Sequence, residues 1–191
     1  MLTATNPYSG EKIDSFPCLT KNEMYARIGE ANAAFADWSD RSFEERGEVL
    51  KAVAKQLRAE KHDLAQLMAL EMGKPIKEGV PEVEKAAFCA EFYADNAERF
   101  LSRDTIESDA SLSYVCYQPL GTLLGILPWN APLWLAFRYL APALMAGNTC
   151  VMKHDPHVPQ TAQAIANAFL KAGAPENIMV NLPLETPEVE L

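Results

Sequence analysis

Two short stretches gather residue types from which a binding site could be made: Pro128-Trp129-Asn130-Ala131-Pro132 and Lys153-His154-Asp155-Pro156. Each follows an apolar run and precedes a helical pattern, so each reads as a strand-to-helix turn. In parallel α/β units, ligands bind at such turns, outside the carboxyl ends of the strands. Neither stretch contains GxGxxG, so the ordinary dinucleotide fingerprint is absent. Asn130 offers a carboxamide, although Asn ahead of a helix is commonly an Asx-type cap. Lys153 offers a cation, although a Lys in that place is more often a solvated strand-end charge. His154 and His157 could assist a phosphate, with surface loop positions as the default. Trp129, taken by type alone, is ordinary core packing.

Arg138 stands eight residues after Asn130 on a helical stretch that is otherwise almost entirely apolar, with Trp134 one turn before it on the same face. An unpaired Arg in such surroundings is costly, so it requires an anion, either a protein carboxylate or one carried by a ligand. The cysteines Cys18, Cys89, Cys116 and Cys150 form no CxxC pair and have apolar or aromatic neighbours. They read as buried thiols in a reducing cytosol rather than as metal ligands, and no metal is expected. Burial in an apolar setting raises a thiol's pKa, so none of the four is expected to act as a nucleophile.

Positioning these residues falls to an ordered series of elements. Residues 1–18 read as two short extended pieces around Pro7-Tyr8-Ser9-Gly10. A helix opens at the capping box Thr20-Lys21-Asn22-Glu23 and carries Met24, Ile28, Ala31, Phe35 and Trp38 on one stripe. Ser42-Phe43-Glu44-Glu45 opens a second, and a third bearing Leu64, Leu67 and Met68 ends at Gly73 with Pro75 beyond. A fourth helix is expected to begin at Pro81, where a missing N–H is harmless. After Ser102 the pattern changes. Thr105–Glu107 and Ser111–Tyr117 suggest a hairpin. Gly121–Leu127, Asn148–Met152 and Ile178–Leu182 are apolar strands, separated by helices over Pro132–Ala146 and Pro159–Lys171. Glu185–Leu191 reads as the beginning of a helix.

Strand, helix, strand, helix, strand is a parallel βαβαβ unit. The expected fold class is therefore α/β, a helical layer followed by a partial Rossmann-like unit. The expected divisions are an extended segment at 1–18, the helical layer at 19–102, the hairpin at 103–119 and the βαβαβ unit at 120–191.

A length of 191 residues suits one core-bearing domain, and 49% hydrophobic with 23% charged residues is ordinary for a globular chain. A net charge of −9 without a basic patch argues against nucleic-acid binding. The start carries no basic segment followed by an apolar run, so no secretory signal is read and a cytoplasmic location is expected. Gly121–Met152 is the most apolar stretch, but Pro128, Asn130, Pro132, Arg138 and Pro142 interrupt it before about 18 apolar residues accumulate. It reads as a buried core, and no membrane association is expected.

The two turns, with their flanks, resemble the aldehyde dehydrogenase superfamily. Gly121-Thr-Leu-Leu-Gly-Ile-Leu-Pro-Trp-Asn-Ala-Pro-Leu is similar to its Pro-Trp-Asn element, and Ala146-Gly-Asn-Thr-Cys-Val-Met-Lys153 to the strand that follows. Upstream, Asn6-Pro-Tyr-Ser-Gly-Glu and Glu71-Met-Gly-Lys-Pro75 also resemble family segments. The likeness runs through nearly the whole chain in the right order.

This resemblance implies oxidation of an aldehyde by a cysteine thiolate, an oxyanion donor, a general base and a nicotinamide cofactor. It makes Asn130 the oxyanion donor through its side-chain amide. It gives Lys153 a hydrogen bond to the cofactor's adenosine ribose or to a phosphate on it. Leu127, Pro128, Trp129 and Asn130 form part of the cofactor wall, and His154, Asp155 and Pro156 continue the cofactor loop. Members that prefer NAD commonly read Lys-Pro-x-Glu, whose Glu grips the ribose hydroxyls, whereas here that position is Pro156. A 2′-phosphate then meets less repulsion, so NADP is slightly favoured over NAD, with Asp155 as a partial substitute for the missing carboxylate.

The family's catalytic cysteine, carboxylate base and glycine-rich loop are expected downstream of Leu191. The chain therefore reads as a truncated amino-terminal portion, inactive alone, within a homo-oligomeric enzyme whose hairpin belongs to the oligomerisation arm. A non-catalytic remnant serving as an interaction module is the alternative. Arg138, with Trp134 beside it, resembles the carboxylate-binding Arg of bacterial succinic-semialdehyde dehydrogenases. That implies succinic semialdehyde as the small-molecule substrate, with an intraprotein salt bridge as the competing role for Arg138.

Overall fold

The computed structural model describes residues 1–186. Strands β1 (Leu2–Thr5) and β2 (Lys12–Phe16) form an antiparallel hairpin that turns through Asn6, whose Oδ1 accepts the Tyr8 N–H at 2.9 Å. Helix α1 (Lys21–Asp40) and helix α2 (Phe43–Ala59) each start in a complete capping box, Thr20 with Glu23 and Ser42 with Glu45. The reciprocal bonds satisfy two of the otherwise orphaned N–H groups at each helix start. Helix α3 (Lys61–Met72) stops at Gly73, which takes the left-handed conformation at φ 76°.

Helix α4 runs over Ile76–Leu101, so the expected start at Pro81 is wrong by more than a turn. Its first turn closes on Pro75, whose carbonyl accepts the Glu78 and Gly79 N–H groups at 2.8 and 2.9 Å. Gly79 lets α3 approach closely, since a Cβ there would lie 3.0 Å from that of Ala65. Pro81 and Lys77 are both exposed, so water can replace the one bond that Pro81 forfeits.

The expected hairpin is much shorter than its sequence pattern. Only Asp104–Thr105 (β3) and Tyr114–Val115 (β4) pair, and both strands are exposed, with no apolar face to extend the ladder. Strand β5 (Thr122–Leu127), helix α5 (Pro132–Met145), strand β6 (Thr149–His154), helix α6 (Pro159–Lys171) and strand β7 (Met179–Asn181) follow. The three strands make one parallel sheet in the order β5-β6-β7. The expected α/β class with a partial βαβαβ unit is what the chain adopts. Glu185 and Thr186 are the last described residues of the helix expected from Glu185, and the remainder of that expectation lies outside them.

All six residues of β6 are buried, as a central parallel strand covered on both faces requires. On one face Val151 and Val180 pack with Ala31, Met24 and Ile28 of α1. On the other, Cys150 and Met152 join the larger core with Phe137, Leu140 and Leu144 of α5 and Ile165 and Phe169 of α6. Helices α2, α3 and α4 form a further layer behind α5 and α6. Helices α1 and α2 together close the carboxyl end of α5. The buried Trp38 indole donates to the Leu144 carbonyl at 3.0 Å, and the buried Arg46 guanidinium to the Met145 carbonyl at 3.1 Å.

The cysteines depart from the expectation that all are buried. Cys89 and Cys150 are, while Cys18 is half-buried and Cys116 exposed on the short hairpin. Among the described residues no helix is long and apolar enough to cross a membrane.

Candidate functional site

Parallel pairing sets Ile126 opposite Lys153 and Leu127 opposite His154, so the two turns leave adjacent strands at the same level. After Leu127 the chain passes through exposed Pro128, Trp129 and Asn130 before α5 begins at Pro132. Trp129 is 47% exposed and faces a groove shared with Thr3, Pro7, Met72 and His157, so the core-packing account does not describe it.

The N-cap of α5 is Ala131, which has no side-chain acceptor. The first-turn N–H groups of Leu133 and Trp134 instead donate to Glu82 Oε1 at 3.0 and 3.2 Å. Glu82 comes from α4 and is buried. Its other oxygen pairs with the mostly buried Lys74, and Lys74 Nζ also donates to the Asn130 backbone carbonyl at 3.0 Å. The Asx-cap account of Asn130 is therefore corrected: a carboxylate from another helix does that work. Among the described residues the Asn130 carboxamide itself makes no hydrogen bond.

The second turn is built in the same way. Helix α6 has Val158 at its N-cap, again without a side-chain acceptor. Glu71, buried at the end of α3, accepts the Gln160 N–H at 2.6 Å and the Thr161 N–H and hydroxyl at 2.9 and 2.7 Å. Burial raises the Glu71 pKa above the usual carboxyl range against the opposing pull of those three bonds.

Lys153 and His154 are both buried, which corrects the picture of a solvated strand-end Lys and a surface loop His. His154 Nδ1 accepts the Asp155 N–H at 2.9 Å, and Nε2 lies 3.2 Å from the Pro132 carbonyl. One neutral tautomer, with its proton on Nε2, satisfies both contacts, and burial foremost lowers the His154 pKa in keeping with it. His154 thereby ties the second turn to the start of α5. Asp155 is half-buried, and its Oδ1 takes the His157 N–H at 2.9 Å and faces His157 Nδ1 at 2.7 Å. Pro156 is half-buried beside it and His157 exposed.

Arg138 is exposed on α5, which corrects the expectation of an apolar enclosure, and it makes no ion pair or hydrogen bond among the described residues. The intraprotein salt bridge is thus not formed there. Trp134, one turn earlier, is half-buried, with Lys85 Nζ 3.8 Å above its ring.

The two buried cysteines are held as neutral thiols. Burial raises the Cys89 pKa and pushes that of Cys150 up to about 12. Among the described residues no group of three or more His, Cys, Asp or Glu side chains is placed to hold a metal ion.

Residues 1–190 match the model of the aldehyde dehydrogenase family. The chain belongs to that family. It is 41% identical over 181 residues to the probable succinate-semialdehyde dehydrogenase (NADP+) of Synechocystis sp., a match covering 95% of this chain and 40% of the relative. It is 39% identical over 192 residues to succinate-semialdehyde dehydrogenase (NADP+) 1 of Mycobacterium tuberculosis, covering 99% of this chain and 42% of the relative. Its fold superposes with a TM-score of 0.94 and 31% identity on the succinic semialdehyde dehydrogenase of Streptococcus pyogenes in complex with NADP+, covering 99% of this chain and 42% of that one. The chain thus spans about 40% of the length of the curated relatives it matches.

Three residues that organise this aldehyde dehydrogenase chain, Glu71, Lys74 and Glu82, were not singled out as site residues from the sequence. Glu71 and Lys74 both lie in the family-like segment Glu71–Pro75, whose role the sequence left blank. A signal did exist. Glu71 continues the buried stripe of Leu64 and Met68, and Glu82 that of Gly79, Ala86 and Ala90. A carboxylate on the buried stripe of a helix requires a buried partner.

Proposed function

We propose that residues 1–191 supply the oxyanion donor and part of the cofactor site of an NAD(P)-dependent aldehyde dehydrogenase that oxidises succinic semialdehyde and favours NADP. The observation that carries this reading is the side-by-side exit of the two turns from β5 and β6, with an exposed and unpartnered Asn130 carboxamide on one and Lys153 at the end of the other. The donor set suits the ribose end of a nicotinamide dinucleotide. Lys153 would hold the adenosine ribose or its 2′-phosphate, and Leu127, Pro128 and Trp129 would wall the site. Pro156 brings no carboxylate, and one oxygen of Asp155 is already engaged by His157, which lowers the repulsion a 2′-phosphate meets. The amino ends of α5 and α6 are filled by Glu82 and Glu71, so the pyrophosphate rests elsewhere.

A nicotinamide bound there would supply the hydride acceptor. The chain's own contribution precedes hydride transfer. As a nucleophile attacks the aldehyde carbon, charge grows on the carbonyl oxygen, and the Asn130 Nδ2–H donates to that oxygen from a loop already held in place. Arg138 on the exposed face of α5, with Trp134 beside it, binds the substrate's distal carboxylate by a charge-assisted pair. The nucleophile and base come from outside residues 1–191. A second reading, a non-catalytic interaction module, draws on the open apolar face of β5, where Leu124 and Ile126 are 57% and 58% exposed.

The test uses a catalytically complete polypeptide made by joining residues 1–191 to the remainder of the Synechocystis relative. Arg138→Ala should lower kcat/KM for succinic semialdehyde on the order of tenfold to a hundredfold while sparing an uncharged aldehyde of similar length. Equal losses on both substrates overturn the carboxylate role. Absence of turnover that depends on Asn130 favours the interaction module.

A further inference from the structure

Asn is among the best helix caps, and Asn130 stands one residue before the N-cap of α5 with its carboxamide uncommitted. The capping is done from 51 residues away by Glu82, at the cost of burying a carboxylate. That burial is offset by Lys74, and the same Lys74 Nζ grips the Asn130 carbonyl at 3.0 Å. A local Ser or Asp at position 131 would cap the helix with no buried charge, so helix stability alone does not account for the arrangement. Two carbonyls of the turn are held from outside it, Asn130 by Lys74 and Pro132 by His154, while the Asn130 side chain is left unheld.

We propose that Glu82 and Lys74 are positioning residues for Asn130: Glu82 relieves Asn130 of capping α5, and Lys74 fixes its backbone so that the carboxamide stays available to the reacting oxygen. The proposal rests on Asn130 being the oxyanion donor. Without Glu82, the two first-turn N–H groups lack an acceptor and the Asn130 Oδ1 is the nearest replacement in sequence. The carboxamide then turns inward to cap the helix and is lost to the substrate. Without Lys74, Glu82 keeps its two amides but the Asn130 backbone is no longer fixed. Both changes act on a donor used mainly as charge develops, so they lower kcat and leave the KM for the cofactor unmoved.

The experiment measures kcat, both KM values and thermal stability in the catalytically complete polypeptide for Asn130→Ala, Lys74→Met, Lys74→Arg, Glu82→Ala and Glu82→Ala with Ala131→Ser. The expected result is a loss of kcat on the order of a hundredfold for Asn130→Ala and of tenfold or more for Lys74→Met and Glu82→Ala, with partial recovery in Lys74→Arg. Adding Ala131→Ser to Glu82→Ala should restore melting temperature without restoring kcat. If that double variant regains both, Glu82 is a helix cap and nothing more, and the proposal is overturned. It is overturned as well if Asn130→Ala loses kcat while Lys74→Met keeps it, an outcome that leaves the proposed function standing. If Asn130→Ala itself keeps kcat, the oxyanion assignment fails first and the positioning role with it. Should Glu82→Ala fail to fold, the contrast between Lys74→Met and Lys74→Arg decides: equal kcat in the two overturns the proposal.

Discussion

Pro156 sits where the loop after β6 turns toward α6, and under the proposed function it takes the place of a carboxylate that would hold a ribose diol and repel a 2′-phosphate. Its neighbour Asp155 is the remaining acid, and its Oδ1 is occupied by the loop's own contacts to His157. In the catalytically complete polypeptide, Pro156→Glu should therefore shift preference toward NAD by about tenfold in the ratio of kcat/KM values, from new hydrogen bonds to the diol and a like-charge clash with the phosphate. High ionic strength should shrink the NADP part of that shift, because it is electrostatic and screened. A strong preference for NAD in the unsubstituted enzyme would mean that Asp155 holds the ribose after all. Arg138 departs from the apolar enclosure expected for it. Its helix is apolar in composition, but the face that carries it is the open one.

At the scale of elements, α5 and α6 are apolar helices that begin with Pro and have no local cap, and both take their capping acceptors from the helical layer. The two βα turns are consequently anchored to α3 and α4 as well as to their own strands. His154 adds a link that depends on pH. Its Nδ1 accepts a proton-bearing group, so protonation of the imidazole breaks the Asp155 contact. Burial holds its pKa below the usual 6.5, and the unfolded chain therefore binds the proton more readily than the folded one. The sign follows: the stability due to His154 is present above about 6.5 and is lost as pH falls below it. His154→Gln, which keeps one donor and one acceptor without a titrating group, should flatten the fall in melting temperature as pH drops below about 6.5. An unchanged slope in that variant would place the pH dependence on other groups.

For the whole molecule, the parallel sheet ends at β5 and β7 among the described residues, and Leu124 and Ile126 stand open on one face. Exposed apolar strand faces of this kind are surfaces open to packing or association. The buried thiols Cys89 and Cys150 are held in the neutral form, which disfavours either as a nucleophile. Purified residues 1–191 should show no oxidation of succinic semialdehyde with either NAD or NADP, measured as reduced cofactor, above a denatured control. Turnover that disappears on alkylating one of the chain's own cysteines would instead make this chain an enzyme by itself.

Local patterns were enough for much of this architecture. The capping boxes at Thr20 and Ser42, the stop at Gly73, the three apolar strands and the two turns that leave them all follow from interactions within a few residues, which sequence spacing records directly. Asn130, Lys153 and Arg138 drew notice as candidates because their types stand out against apolar flanks, but the roles proposed for them came from the family resemblance. Tertiary structure alone decided who caps those turns, that His154 is buried in one tautomer, that α4 passes through Pro81, and that Arg138 faces outward. The two caps depend on partners dozens of residues away: Glu71 is 89 residues from Gln160, and Glu82 is 51 from Leu133. A buried carboxylate and an orphaned helix start are each unfavourable alone, and only folding brings the two together so that each satisfies the other.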